Sequence, residues 1–208
     1  MHKTLAVPVE LAGPGAGMLR GLRFGDGERW AVLVHDLERD LDDWRELAIW
    51  LAESGVCALA LDLPGHGASD DPWDPALAVP AAKAALDFAR SAGAGRIHLV
   101  GAGVGGTAAL AAASSSAGEV ASAALLSPRP DDAVAAMSDL REARVARLIL
   151  VGSLDQGALT DAEAVFRASI GQCELAQIPV SAQGAGLLSG EWGGQSREKV
   201  LAHMVRHR

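Results

Sequence analysis

Short runs of branched and aliphatic residues alternate with alanine-rich, helix-favouring stretches along most of the chain, and this alternation restricts the fold more than any single residue does. Eight runs read as strands: TLAVPVE, MLRGLRF, WAVLVH, VCALALD, RIHLVG, ASAALLS, RLILVG and CELAQIPV. Strands separated by helical stretches are accommodated by a mostly parallel sheet with helices on both faces. The predicted class is therefore α/β, a three-layer α/β/α sandwich. The first two runs are separated only by AGPGAG, a turn signal that suits an antiparallel hairpin.

Helices are expected near Asp43 to Ser54, Pro80 to Ala92, Val104 to Ala117, Asp131 to Ala143, Thr160 to Ile170 and Ser196 to His207. Thr160 followed by Glu163 has the pattern of a capping box, and Gly93 is placed to close the helix that begins near Pro80. No internal repeat or linker is visible. The stretch from Leu126 to Arg147 leaves little room for a lid, so residues 1–208 are expected to form a single domain.

Composition narrows the function classes. Half of the residues are hydrophobic (50%), as in globular proteins. A formal charge of -8 with scattered Lys and Arg provides no basic stripe for a phosphate backbone, so nucleic acid is not an expected partner. No apolar run approaches the roughly 18 residues needed to cross a bilayer, and the polar, interrupted start does not read as a signal peptide. A cytoplasmic protein without membrane contact is expected. Cys57 and Cys173 border apolar runs and read as small buried hydrophobes.

Two signals invite other readings. Gly101-Ala-Gly103-Val-Gly105-Gly106 fits the dinucleotide pattern G-x-G-x-x-G, but Leu125-Leu126-Ser127 closes the next strand where that pattern requires an acid. Of the histidines, His66 reads as the holder of a turn, His98 as a core residue in its strand, and His203 and His207 as solvated on the last helix. None has an Asp or Cys partner at metal-ligand spacing, and neither a metal nor a cofactor is expected. Trp44 and Trp50 fall near Leu47 and Leu51 and read as packing residues, as do Trp30 and Trp192. Trp73 is the candidate pocket aromatic.

With eight strands in this order, LVHD after the third, Asp62-Leu-Pro-Gly-His-Gly-Ala-Ser-Asp70 after the fourth and GAGVGG after the fifth, the chain resembles the α/β-hydrolase fold family over nearly its whole length. In that family the turn after the fifth strand is a nucleophile elbow, G-x-S-x-G. Here it reads Gly101-Ala102-Gly103-Val104-Gly105, so the resemblance puts Gly103 at the nucleophile position. It puts Asp155, in Val151-Gly152-Ser153-Leu154-Asp155, at the acid position and Gln183 at the position of the base. Glutamine does not titrate near neutral pH and cannot serve as a general base.

The amides that would stabilise an oxyanion map to Val104 and to Asp36 or Leu37, and a carboxylate at Asp36 is expected to repel a developing negative charge. The resemblance thus implies a scaffold without ordinary Ser-His-Asp hydrolysis: a pseudoenzyme binding a small-molecule ligand or protein partner through Gly103, Val104, Gln183, Leu37 and Trp73. Two alternatives stay open. Asp36 and Asp155, if close in a poorly solvated cavity, would form an acid/base pair for a lyase or isomerase, or the protein acts through an interface.

Overall fold

Each of the eight apolar runs forms a strand. In the computed structural model, which describes residues 6–15, 17–116, 118–131, 134–135, 141 and 144–207, these are β1 (Ala6–Ala12), β2 (Met18–Phe24), β3 (Arg29–Val34), β4 (Cys57–Leu61), β5 (Arg96–Ala102), β6 (Val120–Leu126), β7 (Ala146–Gly152) and β8 (Cys173–Ile178). They join in one sheet of order β1-β2-β4-β3-β5-β6-β7-β8. The hairpin β1/β2 and the pair β2/β4 are antiparallel, and every later pairing is parallel. The central strands β3 and β4 are apolar almost throughout because helices cover both of their faces.

The helices are α1 (Arg45–Glu53), α2 (Ala78–Ser91), α3 (Gly103–Ser114), α4 (Gln156–Ala168) and α5 (Gly193–Arg206). Side chains alternate across a strand, and β5 shows the consequence. Ile97 and Leu99 enter a core with α2, α3 and α4, whereas Val100 and Ala102 enter a second core with Trp44, α1 and α5. Helix α3 is buried from Gly103 to Ala113, which explains its lack of a polar face.

Several boundaries differ from the expectation. The first long helix is preceded by a 3-10 turn, Leu41–Trp44, because the Asp40 side chain accepts from the Asp42 amide and fixes an earlier start. Trp44 is therefore on that turn, fully buried with Leu47 and Leu51, and Trp50 is half-buried. Asp74 similarly caps the turn Pro75–Leu77 that leads into α2, and Gly93, in a left-handed conformation, follows that helix as expected. The Thr160 capping box does not form. Asp155, five residues earlier, caps α4 instead, and the Thr160 hydroxyl donates back to the Gln156 carbonyl at 2.8 Å. Most of the helix expected over Asp131 to Ala143 lies outside the described residues.

His203 is not solvated. Ser196, Val200, His203 and Met204 form the buried face of α5 against the sheet, and His203 Nε2 lies 3.3 Å from the Ala146 carbonyl. Burial pushes its imidazole down to about 4. His207 is half-buried. His98 is a core residue with Nδ1 2.8 Å from Ser122 Oγ, and burial likewise brings it to about 4. Among the described residues no helix is long and apolar enough to cross a membrane.

Candidate functional site

Parallel strands place all of their C-terminal ends along one edge, so the loops after β3, β5, β6, β7 and β8 converge there. The loop after β5 is the tightest. Ala102 is still extended at φ -108°, Gly103 turns to φ +51°, and α3 begins at once. A Cβ at Gly105 would lie 2.1 Å from the His35 carbonyl oxygen, so the first turn of α3 sits directly against the loop after β3.

Asp36 enters from that loop. Its Oδ1 accepts from the Leu37 amide at 2.8 Å, the Val104 amide at 2.9 Å and Arg129 Nη2 at 2.8 Å. A Cβ on Gly103 would meet the same carboxyl group, 2.1 Å from Cγ and Oδ2 and 2.2 Å from Oδ1. The carboxylate therefore fills the space where any side chain at position 103 would begin. Rather than repelling charge from an open pair of amides, it occupies both amides itself, because backbone N–H groups at a helix start are ready anion donors.

His35 fixes the loop from below. The Leu63 amide donates to His35 Nε2 at 2.9 Å, and Nδ1 lies 2.7 Å from the Asp36 carbonyl. An amide can only donate, so Nε2 is the acceptor and Nδ1 carries the proton toward Asp36. Burial, the largest influence, pushes this imidazole below its ordinary range and keeps it neutral.

Arg129 was not legible as a site residue. It follows β6 in Pro128-Arg129-Pro130, and its amide donates to the Gly103 carbonyl at 3.3 Å while its own carbonyl accepts from Thr107 Oγ1 at 2.5 Å. These bonds hold its guanidinium over Asp36. A lone arginine between two prolines after a strand is the only signal the sequence offers.

Asp155 and Gln183 meet beside this group. Gln183 Nε2 donates to Asp155 Oδ2, and Asp155 Oδ1 accepts from the Ala158 amide at 2.9 Å. The Ala158 amide, then Gln183, hold the Asp155 carboxyl below its ordinary range. Gly184 continues the loop, donating to Ser127 Oγ at 3.2 Å, and a Cβ on it would lie 3.3 Å from Ala102 Cβ. The β8 loop thus packs against the residue preceding Gly103. Asp36 and Asp155 have separate hydrogen-bond partners among the described residues.

The loop 62–70 is a knot of backbone bonds. Asp62 is buried and accepts from the Leu41 and Ala68 amides at 2.8 and 2.9 Å. A Cβ at Gly67 would lie 2.2 Å from its Oδ2, so only glycine fits there. His66 Nδ1 lies 2.9 Å from the Pro64 carbonyl, and its ring stands edge-on to Trp73 with centroids 4.9 Å apart. Trp73 is half-buried, and His66 in turn stands with its ring centroid 5.1 Å from that of His35, the residue before Asp36. Leu37 is half-buried against the core. Among the described residues no three His, Cys, Asp or Glu side chains are grouped to hold a metal ion.

A family model described as alpha/beta hydrolase fold matches residues 32–172, more than half of the chain. No curated protein sequence matches significantly. Among solved structures, a dienelactone hydrolase from Anabaena variabilis is similar with a TM-score of 0.83 at 18% identity, covering 99% of both chains. An esterase from Pyrococcus furiosus has a TM-score of 0.79 at 13% identity over 99% of this chain and 91% of its own. The enol-lactonase from Burkholderia xenovorans has a TM-score of 0.77 at 15% identity over 95% of this chain and 100% of its own. Identities this low concern the fold. By the matched residues and by its eight-stranded, mostly parallel sheet, the chain belongs to the alpha/beta hydrolase fold family.

Proposed function

We propose that this protein is a non-hydrolytic member of its family, a pseudoenzyme whose loop edge binds a small ligand or partner. The observation that carries the reading is the Asp36 carboxylate, which takes the Leu37 and Val104 amides and the volume above Gly103 at once. Acyl transfer needs a nucleophile at that point and free amides for the oxyanion. Gly103 has no side chain, and Gln183, bonded to Asp155, supplies no proton acceptor of suitable pKa. Removing a nucleophile or base from such a triad costs on the order of 10⁶ in kcat, leaving about 10³ to 10⁴ over water.

An acid/base pair of Asp36 and Asp155 is less well supported. Such a pair requires one carboxyl to be raised by mutual repulsion, whereas Asp155 is held low by the Ala158 amide and Gln183. The hydrolases named above share the scaffold at 13–18% identity.

The test is turnover of a panel of short p-nitrophenyl esters by the purified protein beside an Asp155→Asn variant. Both are expected at background. Turnover by the native protein that the variant loses would overturn the non-hydrolytic reading.

A further inference from the structure

We propose a second binding site, at the N-terminal end of the parallel strands and so opposite the loop edge, where a phosphate-type oxyanion is held between Arg29 of β3 and Arg96 of β5 with the buried His98 imidazole beneath it. The site is independent of the non-hydrolytic reading, because none of these residues belongs to the loops around Gly103.

Strand pairing sets the two arginines side by side. Arg29 and Arg96 are register partners on adjacent parallel strands, which run about 4.8 Å apart. Both side chains leave the face of the sheet that carries Ala31 and Val100. Like charges so placed repel each other unless something neutralises them. Among the described residues neither guanidinium has an ion-pair or hydrogen-bond partner, and Arg29 Nε is buried without one. The acids at this end of the sheet are turned away or already paired. Glu28 lies on the opposite face beside Gly95, Asp26 pairs with Arg23, and Glu119 pairs with Arg90. Arg29 is half-buried and Arg96 is exposed, so an anion reaches the pair from solvent.

His98 is the second, independent observation. It follows Arg96 by two residues on the same face of β5 and is fully buried, with Nδ1 2.8 Å from Ser122 Oγ and Nε2 without a partner. The charged groups that act on its ring are Arg29 first, then His203, Arg96 and His207, all of them basic. An anion selects the tautomer in which Ser122 donates to Nδ1 and Nε2 carries the proton. Arg29 Nε and His98 Nε2 are then two neighbouring buried donors that need an acceptor. A carboxylate has two oxygens, enough for one guanidinium fork. A tetrahedral phosphate presents oxygens to both forks and to His98, and its charge of about -1.5 to -2 matches the two arginines.

The full-length native protein is titrated with sodium phosphate, with sodium chloride at matched ionic strength as control, and followed by thermal melting, calorimetry and nitrogen NMR of the His98 ring. Phosphate is expected to bind with a Kd on the order of 0.3 mM and, at about 10 mM, to raise the melting temperature by about 4–8 °C. The His98 Nε2 resonance is expected to move saturably with the same Kd. Arg29→Gln and Arg96→Gln are each expected to weaken binding at least about tenfold, whereas Arg167→Gln, which removes the same charge from α4, is expected to bind as the native protein does. If Arg29→Gln melts too low to titrate, the exposed Arg96→Gln decides. No phosphate-specific shift in the native protein, undiminished binding by Arg96→Gln, or a His98 resonance indifferent to phosphate overturns the proposal. Glycerol 3-phosphate is titrated in parallel: tighter binding than inorganic phosphate identifies a phosphomonoester as the ligand, weaker binding a free oxyanion, and either upholds the site.

Discussion

Adding one methyl group at position 103 tests the geometry of the site directly. In Gly103→Ala the new Cβ would begin 2.1 Å from the Asp36 carboxyl, so the carboxylate must leave. Holding alanine at the φ of +51° costs about 1 kcal/mol. The departing carboxylate gives up the Leu37 and Val104 amides, and bonds to a charged group are worth about 1.5–3 kcal/mol each. Asp36 is partly exposed and regains water, so the lower figure applies, and the expected loss is about 3–5 kcal/mol. In a protein of this size that lowers the melting temperature by about 6–20 °C. Urea and thermal unfolding of Gly103→Ala, Asp36→Ala and the double variant form a cycle. Both single changes remove the same bonds, so the double variant should be about 2 kcal/mol more stable than additivity allows. A cost below about 1 kcal/mol for Gly103→Ala, or strict additivity, would refute the claim that these residues share one volume.

Two further outcomes are expected. His98 and His203 are held to about 4 by burial, against about 6.5 in an unfolded chain. The unfolded state thus takes up the protons first, so their contribution to stability is complete above about pH 6.5 and is lost as pH falls from there toward 4. Melting temperature against pH should decline over that window, and His203→Gln should decline less steeply; an unchanged profile in the variant would contradict the assignment. Trp44 is fully buried with no hydrogen-bond partner for its indole nitrogen among the described residues. Trp44→Phe should therefore cost only about 1 kcal/mol in urea unfolding while Trp44→Ala costs about 3–5, and a Trp44→Phe cost of about 3 kcal/mol or more would mean that the indole N–H is bonded.

The fold was legible because sheet and helix patterns are local. Residues such as Val32, Leu33 and Val34 report burial on both faces of a strand, and the turn AGPGAG reports a hairpin, without knowledge of any distant contact. Helix starts were less legible. Thr160 and Glu163 satisfy a capping pattern, yet the Asp155 carboxylate, five residues earlier, accepts from the Ala158 amide and begins the helix sooner. His203 looked polar in sequence and was buried because α5 turns that face to the sheet.

At the site the same division holds. The sequence by itself determined that position 103 carries no side chain and that position 183 carries no titratable nitrogen, since these are properties of the residues themselves. Only the tertiary structure decided where the Asp36 oxygen goes, bonding Val104 across 68 residues and Arg129 across 93. The physical reason is that apolar periodicity encodes which faces are buried, whereas the partner of a charged oxygen depends on which loops the sheet order brings to one edge.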